Sequence, residues 1–128
     1  MGLDQYAYFV AREKAIDDTN FKQVIYRGAD YEWRKSIPIS RWMFRLFKKK
    51  TGEEDRRRFN CCPLRLEKDD ILSLKKDIET GKIVKDAKFY LPENYNYTSY
   101  DKEQDLRFCE FALAAIEDNL VVYYEEWW

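Results

Sequence analysis

A regular amphipathic pattern before the middle of the chain constrains the fold more than any other feature of the sequence. Apolar side chains recur at positions i, i+3, i+4, i+7 and i+8, namely Ile39, Trp42, Met43, Leu46 and Phe47. This spacing is typical of a helix that buries one face. Pro38 suits its first turn, because proline has no N–H there to leave unpaired. The pattern therefore predicts a helix over residues 37–50 with one face in a core.

Two other segments carry helix signals. Residues 68–80 have acidic side chains in the first turn, lysines later and Gly81 after the last turn, which suits the helix dipole and a glycine stop. Residues 99–119 follow Thr98, which together with Asp101 resembles a capping box. The apolar stripe of this third helix is predicted at Leu106, Cys109, Leu113, Ile116 and Leu120, and Phe108, Phe111, Ala112 and Ala115 are predicted to widen it.

Aromatic and β-branched residues predict strands before the first helix. Residues 3–12, 21–27 and 31–34 have this composition, with Tyr6, Tyr8 and Val10 on one face of the first strand. The second and third segments lie close along the chain. We therefore expect them to pair as an antiparallel hairpin.

Three later segments are also predicted to be extended. Residues 59–66 contain Pro63, with Leu64 and Leu66 alternating with Arg65, and fit a short extended segment that would lie at a sheet edge if it pairs. Residues 83–91 are predicted as a strand with Ile83 and Phe89 facing inward, and residues 120–128 as a final strand. Helices and strands do not alternate as βαβ units. The sequence thus predicts an α+β fold, in which about three helices pack against a small, mainly antiparallel sheet.

The length of 128 residues predicts one domain. The net charge of −1 gives no whole-molecule field for nucleic acid, but the charges are unevenly spread. Most of the charged side chains in residues 91–128 are acidic. Residues 41–58 carry the basic side chains Arg41, Arg45, Lys48, Lys49, Lys50, Arg56, Arg57 and Arg58. Two interpretations stay open: the two regions face water or each other, or the basic side chains bind the phosphates of a nucleic acid or nucleotide.

The cysteines and the apolar runs predict the environment of the protein. Cys61, Cys62 and Cys109 fit neither a disulfide framework nor a zinc-site spacing. Nothing at the start resembles a signal peptide, and the apolar runs are too short to span a bilayer. We therefore expect a reducing cytoplasm, no membrane association and cysteines that serve mainly as small buried side chains.

Missing residue types argue against catalysis. The chain has no histidine, which removes the commonest general base near neutral pH. Its four glycines lie too far apart for a phosphate-binding loop. Two enzyme alternatives stay open: a magnesium site at Asp4 with another acid, or a reactive thiol at Cys61 and Cys62 close to the arginines of residues 56–58. We predict no enzyme, no catalytic residue and no cofactor or metal.

Aromatic side chains provide the candidate binding residues. The sequence NYNYTSY at residues 94–100 combines tyrosine with asparagine, serine and threonine, as protein-binding loops often do. The two terminal tryptophans would form an unusual apolar patch if they were left in water. The predicted residues for contact with a protein partner, or with a second copy of the chain, are Tyr95, Tyr97, Tyr100, Trp127 and Trp128.

Five segments carry a resemblance to a known group. They are the opening MGLDQYAY, then YEWRK, Trp42, LEKDDILSLKKDI and the LP…YD stretch at residues 91–101. In this order they resemble small phage and prophage proteins of no assigned function. This chain has an extra residue between the tyrosine and tryptophan of YEWRK, and NYNYT replaces a stretch rich in glycine and phenylalanine. The resemblance implies a viral origin and action in the cytoplasm of the infected bacterial host, but no site residues. We therefore predict a phage accessory protein that binds a host or defence protein.

Overall fold

An antiparallel sheet forms the centre of the fold, in a computed structural model that describes residues 2–23 and 28–128. The strands are β1 (Asp4–Ala11), β2 (Ala15–Asp17), β3 (Asn20–Phe21), β4 (Tyr31–Arg34), β5 (Leu64–Leu66) and β6 (Leu120–Trp127). The main sheet has the order β4-β1-β6-β5, and β2 and β3 form a separate hairpin. The helices of the described residues are α1 (Ile37–Thr51), α2 (Lys68–Glu79), α3 (Lys82–Ala87) and α4 (Ser99–Glu117). The predicted α+β class is confirmed.

The two faces of the sheet have different coverings. Val122 and Tyr124 of β6 belong to the main core, which the helices complete. Tyr123 faces the other side, where its ring centroid lies 4.6 Å from that of Phe21 and its hydroxyl donates to the carbonyl oxygen of Asp17 at 2.7 Å. The β2–β3 hairpin thus covers part of the second face. A strand buried on both faces explains why the predicted last strand is apolar with little alternation.

Helix α1 forms as its pattern predicts. Ser36 precedes it, and the Ser36 hydroxyl accepts a hydrogen bond from the Ile39 N–H at 3.4 Å. The predicted stripe from Ile39 to Phe47 is buried. Gly52 ends the helix with a φ of 77°, a left-handed conformation that glycine adopts without the penalty of a Cβ atom. In the part of the chain that the structure describes, no helix has the length and apolar character needed to cross a membrane.

Helix α4 has nearly the predicted bounds, but its buried face is centred on residues that were predicted to widen the stripe rather than on the stripe itself. The buried residues are Asp105, Phe108, Cys109, Ala112 and Ala115. Of the predicted stripe only Cys109 is fully buried, whereas Leu106, Leu113, Ile116 and Leu120 are partly buried at its side. Small side chains allow a close approach of packed elements. The face with the small residues therefore lies inward, and the larger apolar side chains border the core.

The predicted strand over residues 83–91 is wrong. Gly81 ends α2 with a φ of 80°, and the chain then forms α3 and a 3₁₀ turn at Lys88–Tyr90. Ile83 and Ala87 are buried at the i, i+4 spacing of a helix, while Phe89 is 91% exposed. Short apolar segments do not distinguish a strand from a buried helix by periodicity alone. The fold therefore has one helix more than predicted, and Phe89 faces outward.

Strand β4 has a partner that the sequence did not predict. It pairs antiparallel with β1, with Trp33 opposite Gln5 and Tyr31 opposite Ala7. Of the predicted second strand, Phe21 belongs to β3, which pairs with β2, and residues 24–27 lie outside the described residues. The pairing with β1 places Trp33 in the core, 4.6 Å from the Phe108 ring centroid. Burial of this large ring stabilises the long-range pairing of β4 with β1.

We expect Ile83 and Phe89 to differ sharply on truncation. Ile83→Ala should lower the free energy of unfolding by about 2–4 kcal/mol, because it leaves a cavity in the core. Phe89→Ala should change it by less than about 0.5 kcal/mol, because the ring is exposed. Urea unfolding of both variants measures the difference. Equal losses would contradict the helical placement of this segment.

Candidate binding groove at the sheet edge

A groove separates the edge strand β4 from the loop before α4 and the first turns of that helix. Residues 31–36 form one wall, and the other wall consists of Tyr95, Tyr97, Tyr100, Asp101, Gln104 and Asp105. The groove has a volume of about 380 Å³, which lies in the range of pockets that bind small ligands or side chains. We name it the β4 groove.

Asp105 connects the two walls of the β4 groove. Its side chain is only 3% exposed. The indole Nε1 of Trp33 donates to Oδ1 at 3.0 Å, and the Tyr97 hydroxyl donates to Oδ2. A buried carboxylate needs such donors to offset the loss of water. One side chain on α4 therefore holds both β4 and the tyrosine-rich loop in place.

The buried position of Asp105 and Tyr97 shifts the pKa of both side chains. Burial raises the pKa of Asp105 to about 6, although the hydrogen bonds from Tyr97 and Trp33 act in the opposite direction. Burial, followed by the hydrogen bond to Asp105, also raises the pKa of Tyr97 far above its ordinary value. The Tyr97 hydroxyl therefore stays protonated and remains a donor at any physiological pH.

Contacts on the strand side fix the other aromatic rings. The Tyr31 hydroxyl donates to the main-chain oxygen of Gln104 at 2.5 Å, and burial raises the pKa of Tyr31 to about 12. The Tyr31 ring lies 4.8 Å from Trp33 and 5.4 Å from Phe108 between centroids. Tyr100 differs, because 67% of its side chain is exposed. The groove thus combines a rigid aromatic wall with one accessible ring.

The structure separates the five predicted partner-binding residues. Tyr95, Tyr97 and Tyr100 line the groove, whereas the tryptophans do not. Trp127 is 51% exposed on the opposite sheet face, in an edge-to-face contact with Tyr6 at 6.0 Å. Trp128 donates through Nε1 to Glu126 at 2.7 Å. The predicted aromatic surface is therefore not one patch.

Sequence reasoning missed the strand wall and Asp105. Asp105 precedes Phe108 and Cys109 by three and four residues, so it lies on the buried face of α4. A carboxylate at a position that extends an apolar stripe is a signal of a buried polar site. The predicted stripe begins at Leu106 and does not extend to Asp105. We therefore missed from the sequence that Asp105 is buried.

A second buried carboxylate has a structural role. Glu126 is fully buried and accepts hydrogen bonds from four donors: the Ser40 hydroxyl (3.0 Å), the Arg56 guanidinium (3.1 Å), the Tyr124 hydroxyl (2.8 Å) and the Trp128 indole (2.7 Å). Burial raises its pKa, and these donors counteract the shift. With its acceptor capacity used inside the protein, Glu126 joins β6 to α1 rather than binding a ligand.

Most of the candidate phosphate-binding side chains have partners within the chain. Carboxylates lie within 4 Å of five of them, in the pairs Arg45–Asp86, Lys50–Asp70, Arg56–Glu126, Arg57–Asp55 and Arg58–Glu53. Arg41 lies over the Tyr90 ring at 3.5 Å, and Lys48 over the Phe44 ring at 4.9 Å. Lys49 is exposed. The basic residues therefore do not form one unneutralised surface.

The cysteines do not form the activated pair that the thiol alternative requires. Cys61 is exposed, Cys62 is half-buried and Cys109 is buried, so the prediction of buried cysteines is wrong for Cys61. Burial raises the pKa of the Cys62 thiol, and Glu125 raises it further. A raised pKa disfavours the reactive thiolate.

The acidic residues are also dispersed. Asp4 lies beside Tyr6, Glu32 and Arg34 on the sheet face away from the helices. Glu125 and Glu126 point to opposite faces of β6, as neighbours on a strand do. Across residues 2–23 and 28–128, no three cysteine or carboxylate side chains are grouped so that they could hold a metal ion.

Two segments that lie far apart along the chain meet at the β4 groove. The residues of YEWRK lie on its strand wall, and the end of the 91–101 stretch lies on the wall opposite. Compared with known proteins, the chain matches no family model, no curated protein and no solved structure.

Proposed function

We propose that this protein acts by binding another protein through the β4 groove, without catalysing a reaction. One observation carries the proposal: aromatic side chains from two distant segments converge around a buried carboxylate. Tyrosine and tryptophan are enriched in protein interfaces and dominate their binding energy. The aromatic residues of the groove are Tyr31, Trp33, Tyr95, Tyr97 and Tyr100.

The resemblance to phage and prophage proteins supports a narrower proposal. The partner is a bacterial host or defence protein, met in the cytoplasm of the infected cell. The hydrogen bonds that hold the groove favour binding of a protein partner in general, because a preorganised surface loses little conformational entropy on binding. Trp127, which is exposed on the opposite sheet face, is a candidate for a secondary contact.

The nucleic-acid alternative has less support. Five of the basic side chains already lie beside carboxylates, so they would have to give up these ion pairs to bind phosphates. We expect a labelled single-stranded oligonucleotide to show no retention by the protein, even at low salt. Retention that falls steeply with added salt would favour the basic region instead.

Photocrosslinking tests the proposed protein binding directly. The photoreactive amino acid p-benzoylphenylalanine is placed at Tyr100 on the groove, and in a control at Phe89, which is more exposed but does not line the groove. After irradiation in a bacterial host extract, a protein captured from position 100 and not from position 89 is identified and purified. Direct binding to the unmodified protein is then measured by calorimetry.

The purified partner then allows a quantitative test. Tyr95→Ala combined with Tyr100→Ala should weaken binding at least about tenfold, since central aromatic residues at interfaces often contribute 2 kcal/mol or more. Phe89→Ala should leave the affinity unchanged. Tyr97 is kept, because its loss would leave Asp105 with one donor fewer. An affinity unchanged by the double substitution, or no position-specific crosslink, would reject the proposal.

A further inference from the structure

The β4 groove follows the edge of a strand rather than one of its faces. Side chains alternate between the two faces along a strand, so Glu32 and Arg34 point to one side, and Tyr31 and Trp33 to the other. All of these residues line the groove, as do the next two, Lys35 and Ser36. A cleft that is lined by side chains from both faces of β4 must run along the main-chain edge of the strand. This is where a further strand of the sheet would lie.

Hydrogen bonding shows which main-chain groups face this edge. The Lys35 N–H donates to the Leu3 carbonyl oxygen at 2.8 Å, in register with the β1–β4 ladder. Antiparallel pairs alternate between bonded and non-bonded, so Trp33 also directs its main-chain groups to β1. Those of Glu32 and Arg34 therefore point outward into the groove. Among the described residues, no strand pairs with this edge.

The two walls of the β4 groove differ in charge: Arg34 and Lys35 lie on the strand side, whereas the described residues of the wall opposite β4 carry carboxylates and no basic side chain. Asp101 and Asp105 contribute carboxylates, and three tyrosine rings lie beside them. The nearest lysine on that helix, Lys102, is directed to the main-chain oxygen of Glu79 at 3.2 Å. Aromatic faces and carboxylates together favour an ammonium or guanidinium group.

From these observations we infer that an extended segment of the protein partner adds to β4 as a fifth strand of the sheet. Its main chain bonds to Glu32 and Arg34, and a lysine or arginine side chain enters between the tyrosines and the acidic residues of α4. Strand addition of this kind obtains affinity from the main chain and specificity from alternate side chains. The inference rests on the proposed function and specifies how the groove recognises its partner.

Defined peptides test strand addition before the partner protein has been identified. The probe is a capped decapeptide of alternating valine and lysine, and its matched control has glutamate in place of lysine. Two further peptides carry N-methyl groups on alternate residues of the lysine version, one on its valines and the other on its lysines, so that each lacks half of the main-chain donors and one of them is methylated in the pairing register. Each peptide is titrated separately into the ¹⁵N-labelled protein. AMP is titrated in a further experiment as a probe for nucleotide binding.

Strand addition at β4 leads to specific expected results. The lysine peptide should shift the amide signals of Glu32 and Arg34, and should bind at least about tenfold more tightly than the glutamate peptide. N-methylation in the pairing register should weaken binding by a similar factor. Arg34→Pro removes an outward N–H that an edge strand can lose. Provided that this variant keeps the wild-type circular dichroism spectrum, it should also bind the lysine peptide at least about tenfold more weakly.

Four other outcomes would overturn strand addition at β4. Equal affinities of the lysine and glutamate peptides would refute the charge preference, and unchanged binding of the N-methylated peptides would refute strand addition. Saturation of the groove by AMP without peptide binding would identify a nucleotide site. A crosslinked partner that needs Tyr100 but tolerates Arg34→Pro would leave protein binding intact and reject only the strand mode.

Discussion

Replacing Arg56 with methionine is expected to lower the free energy of unfolding by about 3 kcal/mol at pH 7, the largest effect of any single charged residue considered in this protein. Arg56 supplies the only cation within 4 Å of Glu126 among the described residues. Its guanidinium also donates to the Ser40 hydroxyl at 2.7 Å and lies over the Trp128 ring at 4.7 Å. Methionine would keep much of the apolar contact but leave a buried carboxylate without its counter-charge.

The neighbouring arginine provides a matched control. Arg57 also forms an ion pair, at 2.9 Å to Asp55, but its side chain is 85% exposed. Exposed pairs contribute about 0–1 kcal/mol because water and salt screen them. Urea unfolding of Arg56→Met and Arg57→Met should therefore separate the two effects. Losses of the same size in both variants would contradict a structural role for the Glu126 cluster.

A double substitution distinguishes the lost charge from the lost packing. If the uncompensated carboxylate is what destabilises Arg56→Met, then adding Glu126→Gln should restore part of the stability, because the amide is neutral. The recovery should be incomplete, since the amide is a poorer acceptor for the donors that surround it. A further loss on adding Glu126→Gln would show that packing, and not charge, dominates.

The second large expected effect is a pH dependence that comes from Asp105. Its pKa rises from 3.8 to about 6 on folding, so the folded protein holds this proton more tightly than the unfolded chain. The contribution to stability is then fully present below about pH 4 and is lost as the pH rises through 6. With 1.36 kcal/mol for each pKa unit, the loss is about 3 kcal/mol.

The non-titrating variant Asp105→Asn isolates this contribution. The difference in unfolding free energy, wild type minus variant, should fall by about 2.5 kcal/mol between pH 4 and pH 7, because part of the titration lies outside this interval. The carboxyl ¹³C signal of Asp105 should titrate with a midpoint near 6. Tyr97→Phe should move this midpoint upward, since the variant lacks the hydroxyl that stabilises the carboxylate. A difference that grows with pH would contradict the conclusion that burial of the Asp105 carboxylate outweighs its two hydrogen bonds.

The helices were largely predictable because their signals are local. The spacing from Ile39 to Phe47 and the stop at Gly52 depend on neighbours within a few turns, and α1 forms where they predict it. The capping box of Thr98 and Asp101 likewise begins α4 at the predicted position. The missed helix α3 is six residues long, which is too short for periodicity to separate it from a strand.

The candidate site was only half predictable. The tyrosines of residues 94–100 stand out by composition, and Tyr95, Tyr97 and Tyr100 do line the groove. Asp105 and the strand wall do not stand out, because their role depends on a contact 72 residues along the chain, between Trp33 and Asp105. No local pattern encodes such a partner.

The sequence by itself determined the α+β class, the three longer helices, the deficit of histidine and the places where aromatic residues concentrate. Hydrophobic periodicity and capping act over one or two turns, so they can be read without a structure. Only the tertiary structure decided that β4 pairs with β1, which face of α4 turns inward, and that two distant segments enclose one groove. These outcomes follow from long-range burial of large rings and of one carboxylate, whose energies exceed the local preferences.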